Sequence, residues 1–498
     1  LLSSSNLSSN VHKKIITYQS VKIYILMHIV IQRQVCYSGS VKIQRTEEEM
    51  EKKLIIDFRV TKEQRRQFLK AYFDVPADVE KLTIAYSYEG DDADSIPSDD
   101  KNVIDLALLD QDGNDVGASG SSQREITLSE CYSSPGYKKL PITEGRWCIL
   151  CGAYMVRGDY LDIKYTITFQ LKEYRYLKGD LHMHSVHSDG AKTIQMLGEM
   201  ALKRGLDFII STDHNNFAHN HHLPEIPGLN IIPGVELTHY NGHVNIWGKE
   251  TPYEGSFAVN SFEDFKTLIN QAKANGAVIS LNHPFCSICP WLWDFDFYRD
   301  TVEAWNGPMR ADNMKTIEWW HKELMEGKKI PIVGGSDYHY DYFRIISIFA
   351  RPTTHVYAKA NTKEDILDAI KRGRCVITDS PTSSMIYLSY GDAVAGDTVK
   401  LDKNTKALVK VDKLKKGHTL IVNDQNGQKF VYKAKRTAPF EKEFEITENG
   451  FIQAEIRRKP RGLSVMADFA IRFLKDKKNI FAKRPLSVYA ITNPIYFG

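Results

Sequence analysis

Between residues 52 and 172 apolar and polar positions alternate in short runs. Residues 81–88, 103–109, 146–156 and 160–171 each follow this period, and Asp110-Gln111-Asp112-Gly113-Asn114-Asp115 forms a turn cluster between two of them. A period of two places alternate side chains on opposite faces, so these runs predict strands of a β-sandwich or jelly roll. The pattern changes over residues 176–379. Short strand-like runs with their end motifs at 206–214, 230–237, 242–248, 277–284, 301–307 and 330–339 are interleaved with helix-period stretches at 193–204, 262–275, 311–326 and 362–372. Strands alternating with helices predict βαβ units and a parallel sheet or barrel. Beyond residue 380 the chain is β-patterned again, over 383–390, 407–411, 419–423, 429–433, 441–446, 450–457 and 486–491. Asp424-Gln425-Asn426-Gly427 is a hairpin signal there, and an immunoglobulin-like sandwich is the simplest packing.

The central region also ends its apolar runs in metal-type side chains. Gly179-Asp180-Leu181-His182-Met183-His184-Ser185 follows a strand-like run and leads to Asp189-Gly190. Residues two apart on a strand share a face, so His182 and His184 can converge on one point. Ser211-Thr212-Asp213-His214, Gly234-Val235-Glu236, His243, Asn282-His283-Pro284 and Gly335-Ser336-Asp337-Tyr338-His339 follow in order. Asp337 and His339 again share a face. A barrel gathers the ends of its strands on one side, where ligands distant in sequence meet.

These ordered motifs resemble the set of the PHP (polymerase and histidinol phosphatase) superfamily over about residues 176–378. Val302-Glu303-Ala304-Trp305-Asn306 and Thr492-Asn493-Pro494-Ile495-Tyr496 resemble its CehA/McbA-type metallohydrolases. The resemblance implies a distorted (β/α)7 barrel with two or three divalent ions, of Mn, Fe or Zn. It implies one site from His182, His184, Glu236 and Asp337, and a second sharing Glu236 with His243 and His283. Asp189, His214 and His339 form the implied third. Imidazole and carboxylate donors suit such ions independently of any family. The implied activity is a phosphoesterase using a metal-bridging hydroxide, with Asp189 and His339 as candidates for proton transfer. Two alternatives stay open: hydrolysis of a carboxylic ester, carbamate or amide at the same centre, and a catalytically degenerate barrel that only binds a ligand.

Plainer readings hold for other residues. Asp213 is expected to orient a ligand histidine, and Glu303 to support the site without ligating. His187, His219, His221 and His222 read as loop residues, and His321 as packing beside Trp319 and Trp320. Asn282 is either a substrate contact or a turn former. Arg310 and Arg344 are the cations a phosphate substrate would call on. The acidic runs Asp91-Asp92-Ala93-Asp94 and 110–115 read as solvated turns, since no glutamate follows at calcium-loop spacing.

Composition narrows the class further. The 498 residues are 42% hydrophobic and 26% charged with a net charge of +3, so two to four ordinary globular domains are expected. The expected division is an extension at 1–49, disordered or not native to the protein, then β at 50–175, barrel at 176–379 and β at 380–498. The apolar run at 21–31 is too short to span a bilayer. Seven cysteines argue against a disulfide framework and for a cytoplasmic protein with reduced thiols. Cys148 and Cys151 read as packing; Cys286 and Cys289 follow His283 and fall near the mouth of the site. No dense basic stripe points to nucleic acid apart from Arg457-Arg458-Lys459-Pro460-Arg461, which reads as a solvated strand end rather than a phosphate groove. A small ester, phosphorylated for the main reading, is the expected partner, and the N-terminal β region is open to a carbohydrate or similar ligand.

Overall fold

The computed structural model describes residues 51–89, 101–341, 347–462, 464–466, 468–469 and 485–498. The expected extension at 1–49, the acidic run at 91–94 and Arg344 lie outside them.

Alternation builds the first region as expected. Strands Glu51–Thr61, Tyr160–Leu171, Val79–Tyr88 and Glu125–Ser129 form one four-stranded sheet, in that spatial order. Phe68–Val75, Gly145–Met155, Val103–Leu109 and Asp115–Ser119 form another. Their inward positions, among them Leu82, Ile84, Trp147 and Tyr165, make one continuous core. Cys151 is part of it and Cys148 is buried beside it. The Asp110 carboxylate is occupied by its own turn, accepting from the backbone N–H of Asp112 and Asn114.

The four predicted central helices form at Ile194–Lys203, Phe262–Ala274, Ala311–Met325 and Lys363–Lys371. Thr193, Ser261 and Thr362 cap three of them by accepting from backbone N–H groups of the first turn. The strands between them do not all pair in parallel. Gly234–His239, Gly242–Trp247, Val278–Leu281, Thr301–Asn306 and Ile332–Gly335 make a five-stranded sheet whose first two pairings are antiparallel. For the first of these the reason is local: only Tyr240 and Asn241 separate the paired residues His239 and Gly242, and so short a turn permits no parallel crossover. Pro233, which has no N–H to give a ladder, divides the expected 230–237 strand in two. Asn230–Ile232 joins a different sheet, beside Phe208–Ile210 and Arg175–Asp180.

That second sheet is the longest in the chain. From Arg175–Asp180 it runs through Thr353–Ala358 and Cys375–Thr378 into the C-terminal strands Ser487–Thr492, Gly450–Arg458, Thr419–Asp424 and Gly427–Lys433. Hydrogen bonding therefore crosses the expected boundary at 380 without a break, through pairs such as Thr378 with Ala490. A four-stranded sheet, including Ile386–Tyr390 and Ala407–Leu414, covers this extension over a shared core. The predicted hairpin forms with Asp424 opposite Gly427. The chain is thus β-rich and multidomain, with few helices among the described residues.

Candidate metal centre

Two of the motifs hold each other in place. The His184 N–H donates to Tyr338 O and the Asp337 N–H to His182 O, both at 2.8 Å. This short parallel bridge between Met183 and Tyr338 brings His-x-His and Asp-x-His side by side. A second bridge, His214 with Glu236, ties the next two motifs. Gly335 is required at this junction, because a Cβ there would run into His182 and come within 2.8 Å of Glu303 Oε1. His283 (φ 28°) and Asp337 (φ 50°) take left-handed backbone conformations. For residues other than glycine each costs of order 1–3 kcal/mol, held by the surrounding structure.

All nine sequence-predicted residues come together. Glu236 is central: its Oε1 lies 3.1 Å from His243 Nδ1, 3.3 Å from His182 Nε2 and 3.5 Å from His283 Nε2. Its Oε2 lies 2.8 Å from His214 Nδ1 and 3.4 Å from His184 Nε2. Asp337 Oδ1 is 3.1 Å from His184 Nε2 and 3.5 Å from His182 Nε2. Asp189, the most exposed member, places Oδ1 3.3 Å from His339 Nε2 and 3.7 Å from His214 Nε2.

The donor atoms fall into three groups, each within 4.8 Å, of which the first two share His184: His182, His184 and Glu236; His184, Asp189, His214 and His339; and His243, His283 and Cys289. His184 therefore stands between two groups rather than in one. Cys289 joins the third, with its Sγ 3.8 Å from His283 Nδ1 and 3.4 Å from Cys286 Sγ. The hydrogen bond from Cys289 pulls the Cys286 thiol down to about 5, against burial.

Buried charge dominates the electrostatics. Burial pushes the His182 pKa down, but Glu303, Glu236 and Asp337 more than reverse it and hold it well above the usual value. His283 rises to about 9, against burial, under the pull of Glu236, Glu303 and Asp337. Burial takes His184 down to about 4, with Asp337 opposing. Glu236 and Asp337 stay well below the usual carboxylate range despite burial, chiefly because His182 lies beside both. His182 Nε2, His184 Nδ1 and Glu236 Oε2 are buried with no hydrogen-bond partner. Orphaned buried donors and acceptors are costly. Imidazole and carboxylate atoms left this way, converging on one place, fit divalent metal ions.

Supporting side chains surround the cluster. Glu303 Oε1 lies 3.0 Å from His182 Nδ1, and the amide of Asn306 donates to Glu303 Oε2 and Asp337 Oδ2. Asn282 is neither free for substrate nor only a turn former, since its Nδ2 donates to Glu236 Oε1 at 2.8 Å. Thr238 Oγ1 sits 2.6 Å from His214 Nδ1. Asp213 does not touch a ligand histidine as expected. It accepts from the Ser185 backbone and from the hydroxyls of Ser185 and Ser188, and so anchors the loop leading to Asp189. His219 is buried rather than loop-exposed, stacked on His187 and 3.0 Å from Ser211 Oγ. Sequence reading missed Thr238, Asn306 and Asp180. The Asp180 carboxylate accepts from the backbone of Ser336 and Ala350, and burial raises its pKa to about 6. An acid just before His-x-His was the available signal for Asp180; nothing local marked the other two.

No family model matches the chain. A curated relative, the DNA polymerase/3'-5' exonuclease PolX of Bacillus subtilis (strain 168), is 42% identical over 53 residues, 11% of this chain. The match spans only 9% of that relative's length. Among solved structures the chain is similar to a two-domain protein from Bacteroides vulgatus containing a predicted PHP-like metal-dependent phosphoesterase. Identity is 18%, with 57% of this chain and 90% of that one covered, at a TM-score of 0.35. It is also similar to the lesion-specific endonuclease PfuEndoQ of Pyrococcus furiosus (17%, 40% and 56% covered, TM-score 0.30). A third is an amidohydrolase from Chromobacterium violaceum (16%, 32% and 87% covered, TM-score 0.22).

Proposed function

We propose that this chain is a metal-dependent hydrolase of the CehA/McbA type acting on a phosphoester of a small molecule. In this reading residues 176–379 are a distorted (β/α)7 barrel, flanked by β regions at 50–175 and 380–498. The observation that carries it is Glu236, buried with its two oxygens 2.8–3.5 Å from ring nitrogens of five histidines. Two or three divalent ions would be held by His182, His184, Glu236 and Asp337, by Glu236, His243 and His283, and by Asp189, His214 and His339. Such ions lower the pKa of water and neutralise charge on the oxygens of an in-line displacement.

The residues themselves position and move protons. Glu303 fixes the His182 ring from its far side, as supporting carboxylates do for metal-binding imidazoles. Where Asp189, His214 and His339 hold no ion, His339 Nε2, beside the exposed Asp189, is placed to hand a proton to the departing ester oxygen as the phosphorus–oxygen bond to water forms and the ester bond breaks. Arg310 supports the phosphoester over a carboxylic ester. It donates to Asn306 Oδ1 at 3.2 Å, and its Nε is buried with no partner among the described residues. A guanidinium so placed suits a phosphoryl oxygen.

The test is metal content by mass spectrometry, then turnover of chromogenic phosphate mono- and diesters with Mn²⁺ added back. Two or three metals per chain and metal-dependent turnover are expected, with Glu236→Ala losing both while keeping its far-ultraviolet circular dichroism. Metals with turnover only of carboxylic esters or amides would replace the phosphoester assignment. No metal and no rescue would leave a ligand-binding module.

A further inference from the structure

A second polar cavity, of about 340 Å³, opens where the central region meets the C-terminal strands. Its walls bring together Arg351, Lys415, Arg458 and Arg461 against a single carboxylate, Asp379. Asp379 takes Arg458 at 3.1 Å and Arg351 at 3.7 Å, which leaves three positive charges uncompensated on the lining. Arg461 has no partner among the described residues. Like charges gathered in a concave, partly dehydrated space repel one another, so the arrangement is complementary to an anion.

Tyr489 makes the cavity a built feature rather than a chance meeting of surface cations. It is 2% exposed, its hydroxyl accepts from Lys415 Nζ at 2.8 Å, and the Arg458 guanidinium lies 4.4 Å from its ring centroid. Two of the four cations are therefore fixed before any ligand arrives. The field they create is felt nearby. His418, set edge-on to the Tyr489 ring, is taken down to about 4 by burial together with Arg458, Lys415 and Arg461.

The cavity also lies at the metal end of the sheets. Gly307 lines it, and the Gly307 N–H donates to Gly335 O. The preceding residue, Asn306, is hydrogen-bonded to Glu303 and Asp337.

We propose that this cavity is a metal-independent anion subsite that takes a phosphate group carried by a small molecule. The guanidinium groups offer paired donors matched to phosphate oxygens, and the volume leaves room for more than the phosphate alone. The proposal rests on the cavity and its cations and stands apart from the reading of the metal centre.

It is tested by calorimetric titration of the full chain with inorganic phosphate and with pyrophosphate, in the presence and absence of a chelator. Binding of at least one of the two anions is expected to persist with chelator, where phosphate held by metals is released. The double variant Arg461→Gln/Lys415→Gln is expected to weaken it at least about tenfold, the worth of one lost charge-assisted hydrogen bond. Arg461→Gln alone, at an exposed side chain with no fold contact to lose, is expected to weaken it by about threefold on the same scale. Lys442→Gln, on an outer strand, serves as the control for net charge and is expected to leave binding unchanged. Absence of binding of both anions once chelator is present, or binding unaffected by the double variant, would overturn the proposal.

Discussion

Trp147 is wholly buried among aliphatic and aromatic side chains of the 51–171 core, with its indole N–H given to Thr143 O. Glu236 is just as buried, among histidines. The first region hides what water rejects, and each inward side chain there contributes to stability through area removed from solvent. The second hides what water would have solvated well, and its carboxylates and imidazoles satisfy one another only in part. The contrast separates two roles of burial: in one place it holds the chain folded, in the other it strips donors of water so that an ion can take water's place.

Breaking the apolar side has the largest expected effect on folding. Trp147→Ala should cost about 3–5 kcal/mol, the usual range for removing a large buried aromatic. It would appear as a lower midpoint in urea unfolding, with metal content per folded molecule unchanged; a matching loss of metal would show that the two regions are coupled. On the polar side, Asn282→Ala removes the amide that orients Glu236 and is expected to weaken metal affinity 10- to 100-fold, roughly the cost of losing a supporting contact. Competition with a chromogenic chelator measures this, and little change in thermal midpoint should accompany it.

The smallest effect sharpens the comparison through pH. His355, in strand Thr353–Ala358, is buried with Nε2 2.9 Å from Thr378 Oγ1. Burial, with Lys178 alongside, takes its pKa from 6.5 down to about 3. The unfolded chain therefore takes up this proton first as the pH falls. The contribution of neutral His355 is complete above its unfolded pKa of 6.5 and is lost progressively as the pH falls toward 3. The slope is at most about 1.4 kcal/mol per pH unit. His355→Gln should flatten this part of the acid limb in urea melts at about pH 7.5 and 5.5. An unchanged limb would place the acid sensitivity elsewhere.

Much of this was legible in the sequence because the relevant forces are local. Alternation placed the strands around Val103–Leu109 and Tyr160–Leu171, and helical periodicity placed the helices Ile194–Lys203 and Phe262–Ala274. Of the nine residues that converge on the centre, His182 with His184 and Asp337 with His339 were readable because residues two apart on a strand share a face, and the other five followed from the resemblance of the ordered motifs. What escaped was long-range. Nothing near residue 380 says that Cys375–Thr378 pairs with Ser487–Thr492, since that ladder joins segments more than a hundred residues apart. Thr238 and Asn306 support the centre through single hydrogen bonds, and a threonine or asparagine carries no pattern that distinguishes such a role. Asp213 was expected against a histidine because it precedes His214, yet the strand sends its carboxylate to the Ser185 loop instead.

Asn493 carries a consequence for the order in which the chain can be completed. Its side chain accepts from the Ile332 N–H and donates to Ile332 O, and so clamps the strand that ends at Gly335. Asn493 is synthesised after every one of the nine converging residues. A nascent chain exposing residue 339 already owns all the side chains of the centre, but neither this clamp nor the strand that covers the edge of Cys375–Thr378. Until then that edge is open to wrong partners. On the ribosome, the centre is fully spelled out by residue 339 and closed only once residue 493 has arrived.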